Sequence, residues 1–194
     1  MLFGKFIEAE GALAFQLRFL SKATMEDDDP RRSFMSDIYV EPCEKENELL
    51  GVTTDGRRLH LVNPLEKCAA EVFGMTPGWW RFFKNSSSKR VWVARIEDSQ
   101  TNGWNFPNWR RIIPEGTPEY TTTFNGFSSS GERRGYAELA KFLRDFPEIT
   151  AINLSYLQDI GIDYEWCVEW YGNNKPLKFI QSNRMVLIQP IQTD

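Results

Sequence analysis

Apolar and polar positions alternate with period two over residues 2–9, then shift to helical spacing from Gly11 to Met25. There Leu13, Leu17 and Leu20 share one face and Phe15 and Phe19 lie beside it. The acidic turn MEDDDP at 25–30 closes this helix and reads as a solvated turn, since it lacks the Gly and terminal Glu of a calcium loop. SFMSDIYVEP at 33–42, ELLGVTT at 48–54 and RRLHLVN at 57–63 then alternate as three consecutive strands, giving β-α-β-β-β over 2–63. Asp55-Gly56 predicts a two-residue type I′ turn, with both residues at positive φ and Arg57 and Arg58 at the bend.

The same element order returns near the C-terminus. EITAIN at 148–153 reads as a strand, and LSYLQDIG at 154–161 as a short helix closed by Gly161. YEWCVEWYG, KPLKFIQS and RMVLIQPI, over 164–172, 175–182 and 184–191, read as strands. Little residue identity links the halves, so the repeat is one of order and length. Between them, about 64–147 reads as a long insertion. Within it GMTPGWWRFFKNSSSKR at 74–90 is turn-rich and aromatic, and VWVARIED at 91–98 is a strand. Prolines break up 101–120, and a helix over 128–147 turns Tyr136, Leu139, Leu143 and Phe146 inward before Pro147. The expected fold is one α+β domain over 1–194 with halves at about 2–63 and 148–191.

Composition narrows the function. With 41% hydrophobic residues, 14% aromatic residues and a net charge of −4, the 194-residue chain is that of a globular protein with no basic excess. Cys43, Cys68 and Cys167 are odd in number and show no CxxC spacing, which argues against a disulfide framework and a zinc site. No signal segment or membrane span is visible, so a cytoplasmic location is expected. His60, the only histidine, sits inside a strand with no nucleophile at recognisable spacing, and no phosphate-binding Gly loop is present. No catalytic residue, cofactor or metal is expected. Trp79, Trp80, Phe82 and Phe83 fit a core with one exposed edge, or a surface for bases or another subunit.

Three separated stretches, TTDGRRL at 53–59, FPNWRRIIP at 106–114 and VLIQPI at 186–191, together resemble the bacterial sliding clamp, the processivity β subunit of the replicative DNA polymerase. That family shows a TDGxRL hairpin, an FPxxRRxxP connector and a last strand ending in a Met-Pro-Met-like triplet. LSKATMEDDDPRRSFMSDIYVE at 20–41 and INLSYLQDIG at 152–161 are similar to family segments as well, and the β-α-β-β-β half is the family's building unit. The chain departs from the family in three ways. It fuses two domain halves where the family carries several domains, it has Gln189 and Ile191 where methionines are usual, and 66–105 and 115–148 have little counterpart.

The resemblance implies an apolar groove in which hairpin, connector and last strand receive a short peptide from polymerases or the clamp loader. Carried over residue by residue, it involves Met35, Thr54, Gly56, Arg57, Arg58 and Leu59, then Pro107, Arg111 and Ile112, and finally Leu187, Ile188, Gln189, Pro190 and Ile191. The arginines would frame its rim, with stems on the slot and guanidinium heads in water; taken alone they also fit a solvated hairpin tip. Weak, sequence-independent contact with duplex DNA would involve Arg18 and Lys22, and Arg133, Arg134, Lys141 and Arg144 if the inserted helix turns inward; otherwise these last four line a solvated face. A ring of six such one-domain chains would be a homo-oligomer. The alternative is a structural or regulatory clamp-fold protein that does not encircle DNA.

Overall fold

The computed structural model describes residues 3–25, 35–83, 90–101, 104, 106–125, 144, 152–160, 165–172 and 175–191. The chain divides into two compact units, residues 1–107 and 108–194.

In the first unit the initial alternation forms β1 (Phe3–Glu10), which leads directly into α1 (Gly11–Ser21). Next come β2 (Ile38–Pro42), β3 (Leu49–Thr54), β4 (Arg58–Val62), α2 (Ala69–Phe73), β5 (Gly78–Phe83), β6 (Arg90–Ile96) and α3 (Asp98–Thr101). The strands pair antiparallel in the order β1-β6-β5-β2-β3-β4. α1 packs against β1, β3, β4 and β6, burying Leu13, Leu17, Phe19 and Leu20 as its spacing predicts, while Phe15 remains 45% exposed. Gly51 sets how close the helix lies: a Cβ there would stand 2.6 Å from Leu20 Cδ1.

The stretch at 74–90 departs from the turn-rich expectation, because Gly78–Phe83 is strand β5, paired with β2 and β6. Trp79 and Trp80 are both buried, at 5% and 2% exposure, so both faces of the strand are covered there and no polar alternation could mark it. Trp79 packs on Tyr39, Trp104 and Phe106, and Phe82 and Phe83 are half-buried.

The second unit opens with a 3-10 turn at Trp109–Ile112 and continues with β7 (Tyr120–Phe124), α4 (Leu154–Asp159), β8 (Trp166–Trp170), β9 (Leu177–Gln181) and β10 (Arg184–Ile188). These strands pair antiparallel in the order β10-β9-β8-β7. Phe124, Leu157, Ile160, Trp166, Val168, Phe179 and Val186 are buried as its core. The expected strand at 148–153 is corrected at its end. Residues 148–151 lie outside the described residues, and Ile152 and Asn153 are not strand. Asn153 instead caps α4, its Oδ1 accepting the Ser155 N–H at 3.0 Å, a local bond that competes with strand pairing. β7 was not anticipated, because Tyr-Thr-Thr-Thr-Phe buries only Phe124 and shows no apolar alternation. The 64–147 stretch thus supplies β5 and β6 to the strands of the first unit and β7 to those of the second. Residues 26–30 lie outside the described residues, as does the expected helix at 128–147 apart from Arg144, which is helical and exposed.

Candidate functional site

The β3–β4 pairing closes at Thr54↔Leu59, leaving Asp55, Gly56, Arg57 and Arg58 to span the bend. Gly56 alone of these four has positive φ, at 85°, so the two-residue type I′ expectation gives way to a wider loop. The reason is side-chain chemistry. Asp55 Oδ1 accepts the N–H groups of both Arg57 and Arg58 at 2.9 Å, and Oδ2 takes the Arg58 Nε–H at 3.0 Å. Thr54 Oγ1 accepts the Gly56 N–H at 3.0 Å and donates to the Arg58 carbonyl at 2.7 Å. Met35 lies against the open face of Gly56, 3.7 Å from where a Cβ would be.

The two arginines part here. Arg57 is exposed, whereas Arg58 turns back and donates to the Lys22 carbonyl at the C-terminal cap of α1. Two further side chains of the hairpin do the same. Thr53 Oγ1 donates to the Leu20 carbonyl at 2.7 Å, and His60 Nδ1 meets the Phe19 carbonyl at 2.8 Å. The last carbonyls of a helix have no partner within it, so the hairpin acts as the cap of α1. His60 is completely buried and stacks on Phe19 with ring centres 4.6 Å apart. Burial drives its pKa down to about 3, helped by the charges of Arg58 and Lys22 and opposed by the bond to Phe19. Sequence reading took His60 for an ordinary strand residue; the missed signal was that it stands opposite Thr53, on the strand face that meets the helix.

Of the other first-unit positions, Thr54 and Leu59 are buried, and Pro107 is exposed. In the second unit Trp109 is buried beneath the Arg110 guanidinium, 4.2 Å from its ring centre, which fixes the 3-10 turn and leaves Arg111 and Ile112 exposed. Leu187 and Ile188 are buried in β10; past its end Gln189 and Ile191 are exposed and Pro190 is half-buried. Ile112 and Ile191, at 50% and 45% exposure, are the large apolar side chains that these motifs leave to solvent.

The cationic positions are unequal too. Arg18 donates to the Arg90 carbonyl at 2.8 Å, Lys22 and Arg144 are exposed, and Arg133, Arg134 and Lys141 lie outside the described residues. The solvent side of α1 otherwise carries Gly11, Ala12 and Phe15, and α4 has no basic residue and bears Asp159. A polar cluster at β8 and β9 had no sequence signal. Glu169 and Lys178, cross-strand partners, pair at 2.9 Å, and the Tyr171 hydroxyl donates to Glu169 at 2.7 Å. Burial works against ionised Glu169, but Tyr171 and Lys178 hold its carboxyl below the usual range, while Lys178 is raised by the same pairing against its own burial. Burial and Glu169 push the neighbouring Cys167 thiol up, which disfavours its reactive form. Among the described residues no group of three or more His, Cys, Asp and Glu is arranged to hold a metal, and no helix is long and apolar enough to cross a membrane.

No protein-family model and no curated protein matches the sequence. Solved structures do match in fold. The β chain of DNA polymerase III from Streptococcus pneumoniae superposes with a TM-score of 0.58 at 16% identity, over 100% of this chain and 66% of that one. The chain has the bacterial sliding-clamp fold. The polymerase β subunit of Streptococcus pyogenes gives a TM-score of 0.59 at 12% identity, over 100% of this chain and 68% of its own. A sliding clamp from Bartonella birtlesii, bound to griselimycin, gives 0.53 at 15% identity, covering 100% and 68%. The chain therefore spans about two thirds of the length of these clamps, 66% of the pneumococcal one. The sliding-clamp fold, with antiparallel strands and few helices, belongs to the α+β class that the element order predicted.

Proposed function

We propose that this protein is a sliding-clamp-like binding protein of DNA replication or repair that captures peptide segments of polymerase or clamp-loader type. It works in the cytoplasm, as a homo-oligomer and without catalytic turnover. The observation that carries this reading is the clamp fold over the whole chain, alongside the three motif stretches. The B. birtlesii clamp bound to griselimycin is a precedent for ligand capture on this fold. Residues split by exposure into those that hold the elements (Thr54, Leu59, Leu187, Ile188) and those available to a partner (Arg57, Arg111, Ile112, Gln189, Ile191).

The test follows from that division. A charge at Leu59 would disrupt the hairpin itself, so exposed positions are the proper variants. Burying two apolar anchors contributes roughly 1.5–3 kcal/mol each, so a peptide with a Gln and a Leu-Phe pair is expected to bind with a dissociation constant on the order of micromolar. Calorimetry should show Ile112→Glu and Ile191→Glu weakening it by at least about tenfold. Undiminished binding in both variants, or none in the parent, overturns the assignment.

One observation favours the reading in which the protein does not encircle DNA: among the described helices, α1 carries a single cation, Arg18, which donates to the Arg90 carbonyl, and α4 carries none. A channel holds a duplex through diffuse phosphate contacts, which need such cations. Light scattering after gel filtration separates the readings, six copies supporting a ring and a monomer supporting the non-encircling form.

A further inference from the structure

The cap of α1 has a chemical asymmetry that the peptide-binding reading does not use. His60 Nδ1 is bonded to the Phe19 carbonyl, which requires the proton on that nitrogen. The other nitrogen, Nε2, is fully buried and has no hydrogen-bond partner among the described residues. A second proton could only go there, creating a buried cation with a donor that finds no acceptor. The charged groups that act on the ring are Arg58 on its own strand and Lys22 at the end of α1, both cationic. Thr53, opposite on β3, is neutral, and the nearby Asp55 carboxylate is engaged by Arg58. Among the described residues, no group around the ring compensates a positive charge.

We propose that Thr53, Arg58 and His60 join the hairpin and the end of α1 into one acid-sensitive latch, which opens as a unit when His60 takes up a proton from solvent. The three bonds to the Leu20, Lys22 and Phe19 carbonyls break together, because all three donors ride on one hairpin and all three acceptors on one helix end. Burial holds the closed-state imidazole neutral, with its pKa near about 3, whereas the opened ring titrates at its ordinary 6.5. Acid therefore favours the open form, whatever binds the loop.

The test is NMR on the full chain, where the single histidine gives an unambiguous ring signal. The nitrogen shifts should report the Nδ1–H tautomer, unchanged between about pH 7 and 5. Over that range the opening equilibrium, from amide exchange corrected for intrinsic rates, should rise roughly 25-fold, since only the opened ring binds the proton. The Ala23 N–H, bonded to the Leu20 carbonyl, and the Arg58 N–H, bonded to Asp55, should change by the same factor, while amides of β9 and β10 stay constant. In His60→Gln the pH dependence should vanish; if that variant does not fold, the measurements on the parent decide alone. A ring that titrates near 6.5 in the folded protein, unequal factors at Ala23 and Arg58, or a parallel change in β9 and β10 overturns the latch.

Discussion

Arg57 and Arg58 are adjacent and chemically identical, yet one is a surface side chain and the other a structural cap. Arg58 donates to the Asp55 carboxylate and to the Lys22 carbonyl, where the negative end of the α1 dipole favours a cation. Its side chain is 9% exposed, so solvent screens these bonds little. Arg58→Ala should therefore cost about 1.5–3 kcal/mol, the range for hydrogen bonds to charged groups, and Arg57→Ala less than about 0.5 kcal/mol. Urea unfolding with an unchanged slope measures both, and equal losses would refute the distinction. Sequence could place both arginines at a bend but could not separate them. The separating group is a carbonyl 36 residues away, and its approach depends on how α1 seats on the sheet.

That seating is an element-scale property, and Gly51 sets it. A methyl there would meet Leu20 Cδ1 at 2.6 Å, so the fully buried Leu20 side chain would have to shift, while Leu65 Cδ2, at 3.5 Å, stays at ordinary contact distance. Gly51→Ala is expected to destabilise by about 1–3 kcal/mol through overpacking. If the clash with Leu20 is the cause, the added methyl should cost about 1 kcal/mol less in a Leu20→Ala background, and a double-mutant cycle by urea unfolding reads that coupling. Additive costs would place the strain elsewhere. β2, β8 and β9 were legible in the sequence because buried and half-exposed positions alternate along them. β5 and β7 were not, for opposite reasons: Trp79 and Trp80 bury both faces of the first, and the threonines of the second bury almost nothing. Period-two reading needs one wet face and one dry one.

For the whole molecule, element order and three short motifs reached the clamp fold at a level where identity with solved clamps is only 16%. Of the candidate site, the hairpin, connector and last strand were legible as motifs. Exposure within each was not, because it depends on the burial of Leu59, Trp109 and Leu187 beneath their neighbours. Charge is where fold and function pull apart. The chain carries 23 basic against 27 acidic residues, Arg18 is committed to the Arg90 carbonyl, and α4 supplies no cation. On the proposed reading, duplex binding would rest, among the described residues, on scattered groups such as Lys22 and Arg144, and so few phosphate contacts release few counterions. If about three phosphates are contacted, the logarithmic salt slope is near −2.7, and raising salt from about 50 to about 200 mM should weaken binding roughly 40-fold. Random and defined duplexes should behave alike, since phosphate contacts carry no sequence information. Fluorescence anisotropy at the two salt concentrations checks both statements. A slope near zero with tight binding of one sequence would show that this chain reads bases, a role for which the clamp-like proposal makes no provision.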